Sequence, residues 1–382
     1  MPLAESDDQE LDWKRCLELF LQEQYGEATE CFEDLAVNAW FWAARSLQEQ
    51  QEYKKSIELF DLCLKRSPKD PMILGNIGIS YEALGQQEKA YTYFQRAVKL
   101  DSRDLYLRRR LGISYRELGK YKKSIKCFED PLDVESNRAQ KALIPPIPSL
   151  SKPVWLHILS LIRDFEFQLF YDAITHEEAY QEWQKQPDSN PPEIGGLLGD
   201  TLFHDYCADE LWKVLQHLPT LSKSDLLDLI NSPWWMLPKS RQKQVRRAVE
   251  SDFSRVKKSL GYLLNESIDL KARYDALLRP KNPLHIPGFS PYQASQLLAA
   301  LNKKTHMVFE DSVVRGMQDL GLIENSLSRA PRKGQQYLYL NDICNGLMCK
   351  FLNQFDLGLA LVHHFFWYYH RSYRKTKEWM SF

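Results

Sequence analysis

Histidines near the carboxyl end are the residues of this sequence best suited to binding a metal. His363, His364 and His370 recur at spacings that bring ring nitrogens together along a helix. No carboxylate lies within a turn or two to complete a ligand set, and the residues around them, Phe365 to Tyr369, are aromatic. The pattern therefore predicts a packed aromatic helix rather than a metal site.

Other reactive side chains also fail to form a complete site. His204 and Asp205, close to Asp200, offer adjacent metal ligands, but no second distant pair supports them. Asp311 precedes a helical pattern and is expected to cap that helix. The chain has only 16 glycines and no glycine-rich phosphate loop. We expect no catalytic residue, no metal ligand and no cofactor.

Composition is typical of a soluble globular protein. The chain has 382 residues, of which 44% are hydrophobic and 12% aromatic, enough for two or three domains with true cores. The first twelve residues are acidic and do not look like a signal peptide. The longest apolar stretch, Leu357 to Tyr369, is too short to cross a membrane. The seven cysteines form no CxxC pair, so we expect free thiols in a reducing cytoplasm.

Charge is unevenly distributed along the chain. Residues 1–238 hold 27 basic and 39 acidic residues, whereas residues 239–382 hold 23 basic and 12 acidic residues. A fold does not need this asymmetry, so it favours an anionic partner such as nucleic acid for the basic end. The alternative is internal, because residues 142–238, with 5 basic and 14 acidic residues, could cover the basic face.

A 34-residue repeat occupies the first third of the chain. Gly78-Ile79-Ser80-Tyr81 returns as Gly112-Ile113-Ser114-Tyr115, and Phe94 returns as Phe128. Small residues such as Gly78 let two antiparallel helices approach closely, while bulky ones such as Phe94 fill the space between units. The repeat predicts pairs of helices stacked in an array.

These residues resemble the tetratricopeptide repeat family. The resemblance covers residues 9–138, with units at 37–70, 71–104 and 105–138 in register and a shortened unit before them, in which Tyr25 corresponds to Tyr53 at less than the full period. It implies a helical solenoid whose groove, lined by the first helix of each unit, binds a protein or peptide. The groove residues that it implies are Asn76, Arg109 and Arg110. Pro131 cannot sit comfortably inside a helix and is expected to end the array.

Prolines divide the rest of the chain. The run Pro145-Pro146-Ile147-Pro148 breaks any helix, so we predict a repeat domain at 1–141, an acidic helical region at 142–238 and a basic helical module at 239–382. The whole chain is expected to be all-α with at most a small β-hairpin. Gln335 to Leu340 is the one segment predicted to be extended.

A second resemblance covers about residues 252–323. The segment Ile286-Pro287-Gly288-Phe289-Ser290, followed by Asp311, resembles the helix-hairpin-helix region of DNA base-excision glycosylases. The same region is similar to a helical module that accompanies ATPases of modification-dependent restriction systems. The resemblance implies that backbone N–H groups near Gly288 contact a phosphate. It makes Asp311 the catalytic carboxylate only if the chain is a glycosylase.

A winged helix is the competing interpretation of the same basic region. It takes residues 294–302 and 313–320 as helices and residues 323–340 as a wing. Both interpretations predict contact with nucleic acid, with DNA favoured over RNA; the alternative is a helical packing module with solvated charges. The predicted nucleic-acid-binding residues are Arg246, Arg247, Lys257, Gly288, Ser290, Lys303, Lys304, Arg332 and Lys333.

Together these observations predict a non-catalytic cytoplasmic adaptor. It would hold a protein through its repeats and nucleic acid through its basic module, with no membrane contact, and the second resemblance suggests a DNA restriction or defence complex. Two alternatives stay open. One is a protein-only scaffold or effector without nucleic-acid contact, and the other is a DNA base-excision enzyme.

Overall fold

The fold is known from a computed structural model that describes most of the chain. The described residues are 6–132, 150–185, 196–235, 239–324, 326–327, 329–351 and 357–380. They form eighteen α-helices and no β-strand, so the all-α prediction is confirmed. Among these helices, none combines the length and the apolar composition that a membrane crossing requires. The chain divides into two compact units, residues 1–131 and 132–382, here called the repeat unit and the C-terminal unit.

The described residues of the repeat unit form seven α-helices. They are α1 (Ser6–Leu21), α2 (Tyr25–Glu49), α3 (Tyr53–Arg66), α4 (Pro71–Ala83), α5 (Gln87–Leu100), α6 (Leu105–Glu117) and α7 (Tyr121–Glu129). A 3₁₀ turn, Asp130–Leu132, follows α7 and contains Pro131. Helix α7 thus ends just before the proline, at a residue type that does not fit inside an α-helix.

The repeat is visible in how the helices pack. A Cβ atom on Gly78 would lie 2.8 Å from the ring of Phe94, and one on Gly112 would lie 2.6 Å from the ring of Phe128. Each glycine thus gives the phenylalanine of the following helix room to lie against the backbone. The two pairs are one repeat period apart, so the third unit uses the same helix contact as the second.

The turns between paired helices recur at the same repeat period. Gln51, Gly85 and Gly119 all have positive φ angles of 62° to 71° and follow one another at the repeat period. Glu23 has a φ of 62° and precedes Gln51 by the same reduced spacing that separates Tyr25 from Tyr53. Each of these residues reverses the chain in the left-handed region, which glycine adopts without steric cost.

Helix α2 explains why the first unit is shortened. Between full repeats the chain breaks, and Asp70 then caps α4 by accepting the N–H of Met72 at 2.8 Å. No such break follows Phe32, so the second helix of the shortened unit continues into the first helix of the next repeat. The result is a single 25-residue helix.

Cys16 and Cys31 form a disulfide between α1 and α2. The prediction that all thiols are free is therefore wrong, because the antiparallel packing of α1 on α2 brings two cysteines together that are 15 residues apart in sequence. The other five cysteines are unbonded. Disulfides persist in oxidising compartments, so this bond argues against the predicted reducing cytoplasm.

The described residues of the C-terminal unit form eleven α-helices. They are α8 (Lys152–Thr175), α9 (Glu177–Gln184), α10 (Leu197–Leu215), α11 (Lys223–Asn231), α12 (Lys239–Ser251), α13 (Phe253–Leu264), α14 (Leu270–Leu278), α15 (Pro291–Leu301), α16 (Asp311–Asp319), α17 (Gly334–Met348) and α18 (Leu359–Met380). The described parts of the predicted acidic region and of the basic module thus belong to one compact unit.

Aromatic rings join distant parts of this unit. Phe165 of α8 meets Phe351 and Phe365 edge-on, at centroid distances of 6.4 and 5.7 Å. Beside them the fully buried Arg163 forms an ion pair with Glu166 at 2.7 Å and donates to the carbonyl oxygen of Lys350 at 3.0 Å. Helix α8 is therefore anchored to the end of α17 and to α18 by both apolar and charged contacts.

The segment Gln335 to Leu340 is helical, so its predicted extended conformation is wrong. Tyr337, Leu340, Cys344 and Leu347 are buried at spacings of three and four residues, which is the period of a helix. Within the six predicted residues alone, this period cannot be distinguished from the alternation of a strand. The wing that a winged helix requires is consequently absent from the described part of residues 323–340.

Candidate protein-binding surface

The first helices of the three repeats lie side by side and are joined by buried polar contacts. These helices are residues 37–49 of α2, then α4 and α6. Gln48 of α2 donates its side-chain amide to the carbonyl oxygen of Asn76 at 2.9 Å and to the hydroxyl of Ser80 at 2.8 Å. These bonds help to fix the spacing of α2 and α4, which also share an apolar cluster that contains Ala44, Ile73 and Ile77.

Asn76, a predicted groove residue, takes part in this hydrogen-bonded contact between α2 and α4. Its side-chain oxygen accepts a hydrogen bond from Arg45 at 3.1 Å, and its amide donates to the carbonyl oxygen of Met72 at 2.9 Å. Only 8% of its surface is exposed. Asn76 therefore positions neighbouring helices and offers little to a partner.

Arg110 joins α6 to α4. Its guanidinium forms an ion pair with Glu82 at 2.9 Å and donates to the Tyr106 hydroxyl at 3.0 Å. Burial raises the pKa of Glu82 above its usual value, and the Arg110 charge opposes that shift. Because Arg110 already has a carboxylate partner, it is poorly placed to grip a second one. Arg109, the third predicted groove residue, is half-buried on the same helix.

Exposed apolar side chains are the feature of these helices that the sequence interpretation missed. Trp42 of α2, Met72 of α4 and Tyr106 of α6 are 52%, 62% and 41% exposed. Met72 and Tyr106 occupy the same repeat position, and Trp42 stands one repeat period before Asn76. We call Trp42, Met72, Tyr106 and Arg110 the first-helix surface. Tryptophan, tyrosine, methionine and arginine are the residue types enriched at protein interfaces.

Several predicted nucleic-acid-binding residues make internal contacts in the C-terminal unit. Lys303 lies 2.9 Å from both Asp205 and Asp209 of α10. Lys257 donates to the carbonyl oxygen of Leu221 at 3.0 Å. These contacts connect basic residues to the acidic region, as the internal alternative for the charge asymmetry requires.

The predicted phosphate-binding turn is also packed. Gly288 has a positive φ of 86°, and a Cβ atom there would lie 2.7 Å from Cβ of Gln244 on α12. Arg241 donates to the Gly288 carbonyl oxygen at 3.3 Å. Ser290 is buried and bonded to Gln293. The glycine thus allows a close approach of α12 rather than of a phosphate.

The remaining predicted basic residues differ in exposure. Arg246 is half-buried and donates to the Asn231 side chain at 2.9 Å. Four others are exposed: Arg247, Lys304, Arg332 and Lys333.

Asp311 is the first residue of α16 and does not cap that helix. The N-cap position belongs to Glu310, and the Asp311 carboxylate accepts the N–H of Ala330 at 2.8 Å. Its role in the structure is to attach the chain before α17 to the start of α16. The expectation that Asp311 caps this helix is therefore wrong, and Glu310 at the N-cap position makes no side-chain capping bond.

Comparison with known proteins identifies the repeats. A tetratricopeptide repeat family model matches residues 37–70 and 73–104. No curated protein matches the chain. Residues 105–129 follow the matched units with the same helix pair and the same glycine–phenylalanine contact. The chain therefore contains tetratricopeptide repeats, arranged as a helical solenoid.

Proposed function

We propose that this protein is a non-catalytic adaptor that binds a segment of another protein on its first-helix surface. The observation that carries the proposal is the exposure of Trp42, Met72 and Tyr106 on the first helices of consecutive repeats. Three large apolar side chains in contact with water favour a partner that covers them. Repeats of this kind suggest a protein–protein interaction.

The partner segment should carry apolar or aromatic side chains. Arg110 is neutralised by Glu82, and Asn76 is engaged by Arg45, so neither is set to recognise a terminal carboxylate. Trp42 and Tyr106 can instead provide rigid contact area at a small cost in side-chain entropy, as aromatic anchors do in other interfaces.

The proposal predicts that Trp42→Ala/Tyr106→Ala weakens partner binding at least about ten-fold, since each truncated anchor costs about 1–2 kcal/mol. Proteins enriched from a native extract by the immobilised wild-type chain would be identified, purified and titrated against wild type and variant. Both side chains are exposed, so the melting temperature should hardly change.

Leu100→Ala is the matched control. Leu100 is also an exposed apolar residue, but it lies at the end of α5, a second helix. The Leu100→Ala variant should bind the partner with the affinity of the wild-type protein. Equal affinity of the double variant and the control would refute the first-helix surface as the binding site.

Nucleic-acid binding is proposed only as a second activity of the C-terminal unit. It rests on the charge of residues 239–382 and on the exposure of Arg247, Lys304, Arg332 and Lys333. A role in a DNA restriction or defence complex depends on this activity and on the resemblance of residues 252–323. The internal contacts of Lys303 and Lys257 favour the alternative, an adaptor that contacts proteins alone.

Titration of the full-length chain with labelled duplex DNA at low and moderate salt distinguishes an adaptor that also binds nucleic acid from one that binds proteins alone. Binding to DNA should weaken as salt rises, with a log–log slope of about −0.9 for each phosphate contacted. Arg332→Glu/Lys333→Glu should reduce both affinity and slope, whereas Lys122→Glu/Lys123→Glu, an equal charge change on exposed α7 residues, should have a smaller effect. Absence of binding at both salt concentrations would leave the protein-only adaptor.

A further inference from the structure

Three histidines from two helices that are far apart in sequence meet in the core of the C-terminal unit. His204 lies on α10, and His363 and His364 lie on α18. One ring nitrogen of each histidine is within 4.8 Å of the corresponding nitrogens of the other two. The rings of His204 and His364 stack at a centroid distance of 4.4 Å. Imidazole nitrogens gathered in this way are typical metal ligands.

His364 lacks the hydrogen bonds that a buried imidazole needs. It is 1% exposed, and neither of its ring nitrogens has a hydrogen-bond partner among the described residues. A buried polar atom without a partner costs about 1–3 kcal/mol, so nearly all such atoms in proteins are paired. An ion at the centre of the cluster would give one of these nitrogens a partner.

His363 is oriented as metal-binding histidines are. Its Nδ1 lies 3.0 Å from the carbonyl oxygen of Val308. A carbonyl oxygen can only accept, so Nδ1 carries the proton and Nε2 presents its lone pair. A supporting bond of this kind fixes the tautomer and direction of histidine ligands in metal sites.

A carboxylate lies beside His363. Oε1 of Glu310 lies 3.9 Å from Nε2 of His363, and the Ser312 hydroxyl donates to the same oxygen at 2.5 Å. This bond holds the carboxylate towards the histidine. Imidazole nitrogens and carboxylate oxygens are both ligands of zinc, whereas calcium and magnesium prefer sites made of oxygen atoms.

The cluster also has adjoining space. A cavity of about 60 Å³ is lined by His204, His363, Tyr292 and His306, among others, so water can reach the histidines.

We propose that His204, His363, His364 and Glu310 bind one zinc ion. The nitrogens would close from separations of up to 4.8 Å to about 3.3 Å, the distance set by zinc–nitrogen bonds of about 2.0–2.1 Å in a tetrahedron. Such an ion would connect α10, α18 and the start of α16. The site is structural in kind, because all four ligands come from the protein.

Zinc uptake by the full-length chain tests this inference. Protein stripped with a chelator should bind one equivalent of Zn²⁺ by calorimetry and elemental analysis, and its melting temperature should rise. Substitution with Co²⁺ should give the intense visible absorption of a tetrahedral site. These measurements on the wild-type chain do not depend on whether a variant folds.

His364→Phe is the informative variant. Phenylalanine keeps a ring against His204 and removes the unpaired nitrogens, so the metal-free protein should be at least as stable as wild type, yet bind zinc at least ten-fold more weakly. His204→Ala should lose zinc as well. His370→Ala is the control, because His370 lies on the same helix but contacts Asp319 at 3.3 Å.

Three results would overturn the inference. Wild-type protein that takes up no Zn²⁺ has no such site. Unchanged zinc affinity in His364→Phe and His204→Ala would place any bound ion elsewhere. A weak Co²⁺ spectrum of octahedral type would indicate a surface ion with water ligands. In each case the three histidines would be a packed aromatic cluster, as the sequence pattern first indicated.

Discussion

Glu166→Ala is expected to lower the free energy of unfolding of the C-terminal unit by about 3–5 kcal/mol. The Arg163 guanidinium is fully buried and lies 2.7 Å from Glu166. Removing the carboxylate takes the ion-pair partner at 2.7 Å away from a buried cation, and arginine cannot lose its proton at ordinary pH. The same change loosens the attachment of α8 to Lys350, because that bond is made by the same nitrogen of Arg163.

Glu210→Ala provides a control of the same geometry. Glu210 and Lys213 are also three residues apart on a helix and also 2.7 Å from each other, but Lys213 is 48% exposed. A pair whose lysine is in contact with solvent contributes about 0–1 kcal/mol, even though Glu210 itself is only 15% exposed. Urea unfolding, fitted with a separate transition for each unit, would measure both variants. Equal losses would show that burial does not determine the strength of these two ion pairs.

Gly334→Ala is expected to destabilise the same unit by about 3 kcal/mol, at the upper end of the usual cost of overpacking. A Cβ atom on Gly334 would lie 2.5 Å from the carbonyl oxygen and 2.6 Å from Cα of Lys271. These are backbone atoms of α14, so the whole helix would have to move. That movement would also stretch the bond from the Gly334 N–H to Asp275, now 2.8 Å long.

Gly261→Ala should raise the free energy of unfolding, whereas Gly334→Ala should lower it. Gly261 lies inside α13, and its added methyl group would meet only Cδ2 of Leu218, at the ordinary contact distance of 3.8 Å. Alanine is favoured over glycine inside a helix by about 0.5–1 kcal/mol, so this variant should be more stable than wild type. Thermal unfolding of the two variants gives the comparison, and a stabilising Gly334→Ala would mean that α14 and α17 are not as closely packed as the structure has them.

The sequence predicted those features that depend on residues close together in the chain. The repeat period located the helices of the repeats and the small residues where paired helices approach closely, because each unit folds largely on itself and its neighbours. Phe94, predicted to fill the space between units, instead lies against Gly78 of its own unit. It did not predict the fusion within α2, since the absence of a helix-breaking residue is a weak signal. The predicted extended conformation of residues 335–340 was wrong for a similar reason, because a short apolar pattern fits both the period of a helix and that of a strand.

Contacts between distant residues were beyond the sequence. Lys303 was assigned to nucleic acid, but the fold places it between Asp205 and Asp209. The histidines were interpreted from their own helix, where no carboxylate completes a ligand set. His204, which completes the cluster, is on α10, and nothing in the spacing of residues connects these two helices. Tyr106 was not among the predicted groove residues, although its exposure makes it a candidate for binding.

The continuous helix α2 has a consequence for the cooperativity of unfolding. In a repeat array, each unit is coupled to the next by a packed interface, and the terminal unit is usually the first to fray. Here the first two units share one unbroken ladder of backbone hydrogen bonds, so melting the shortened unit alone would expose the middle of a helix rather than a natural end. The two units should therefore open and close as one, and the effective terminus of the array is the α1–α2–α3 block.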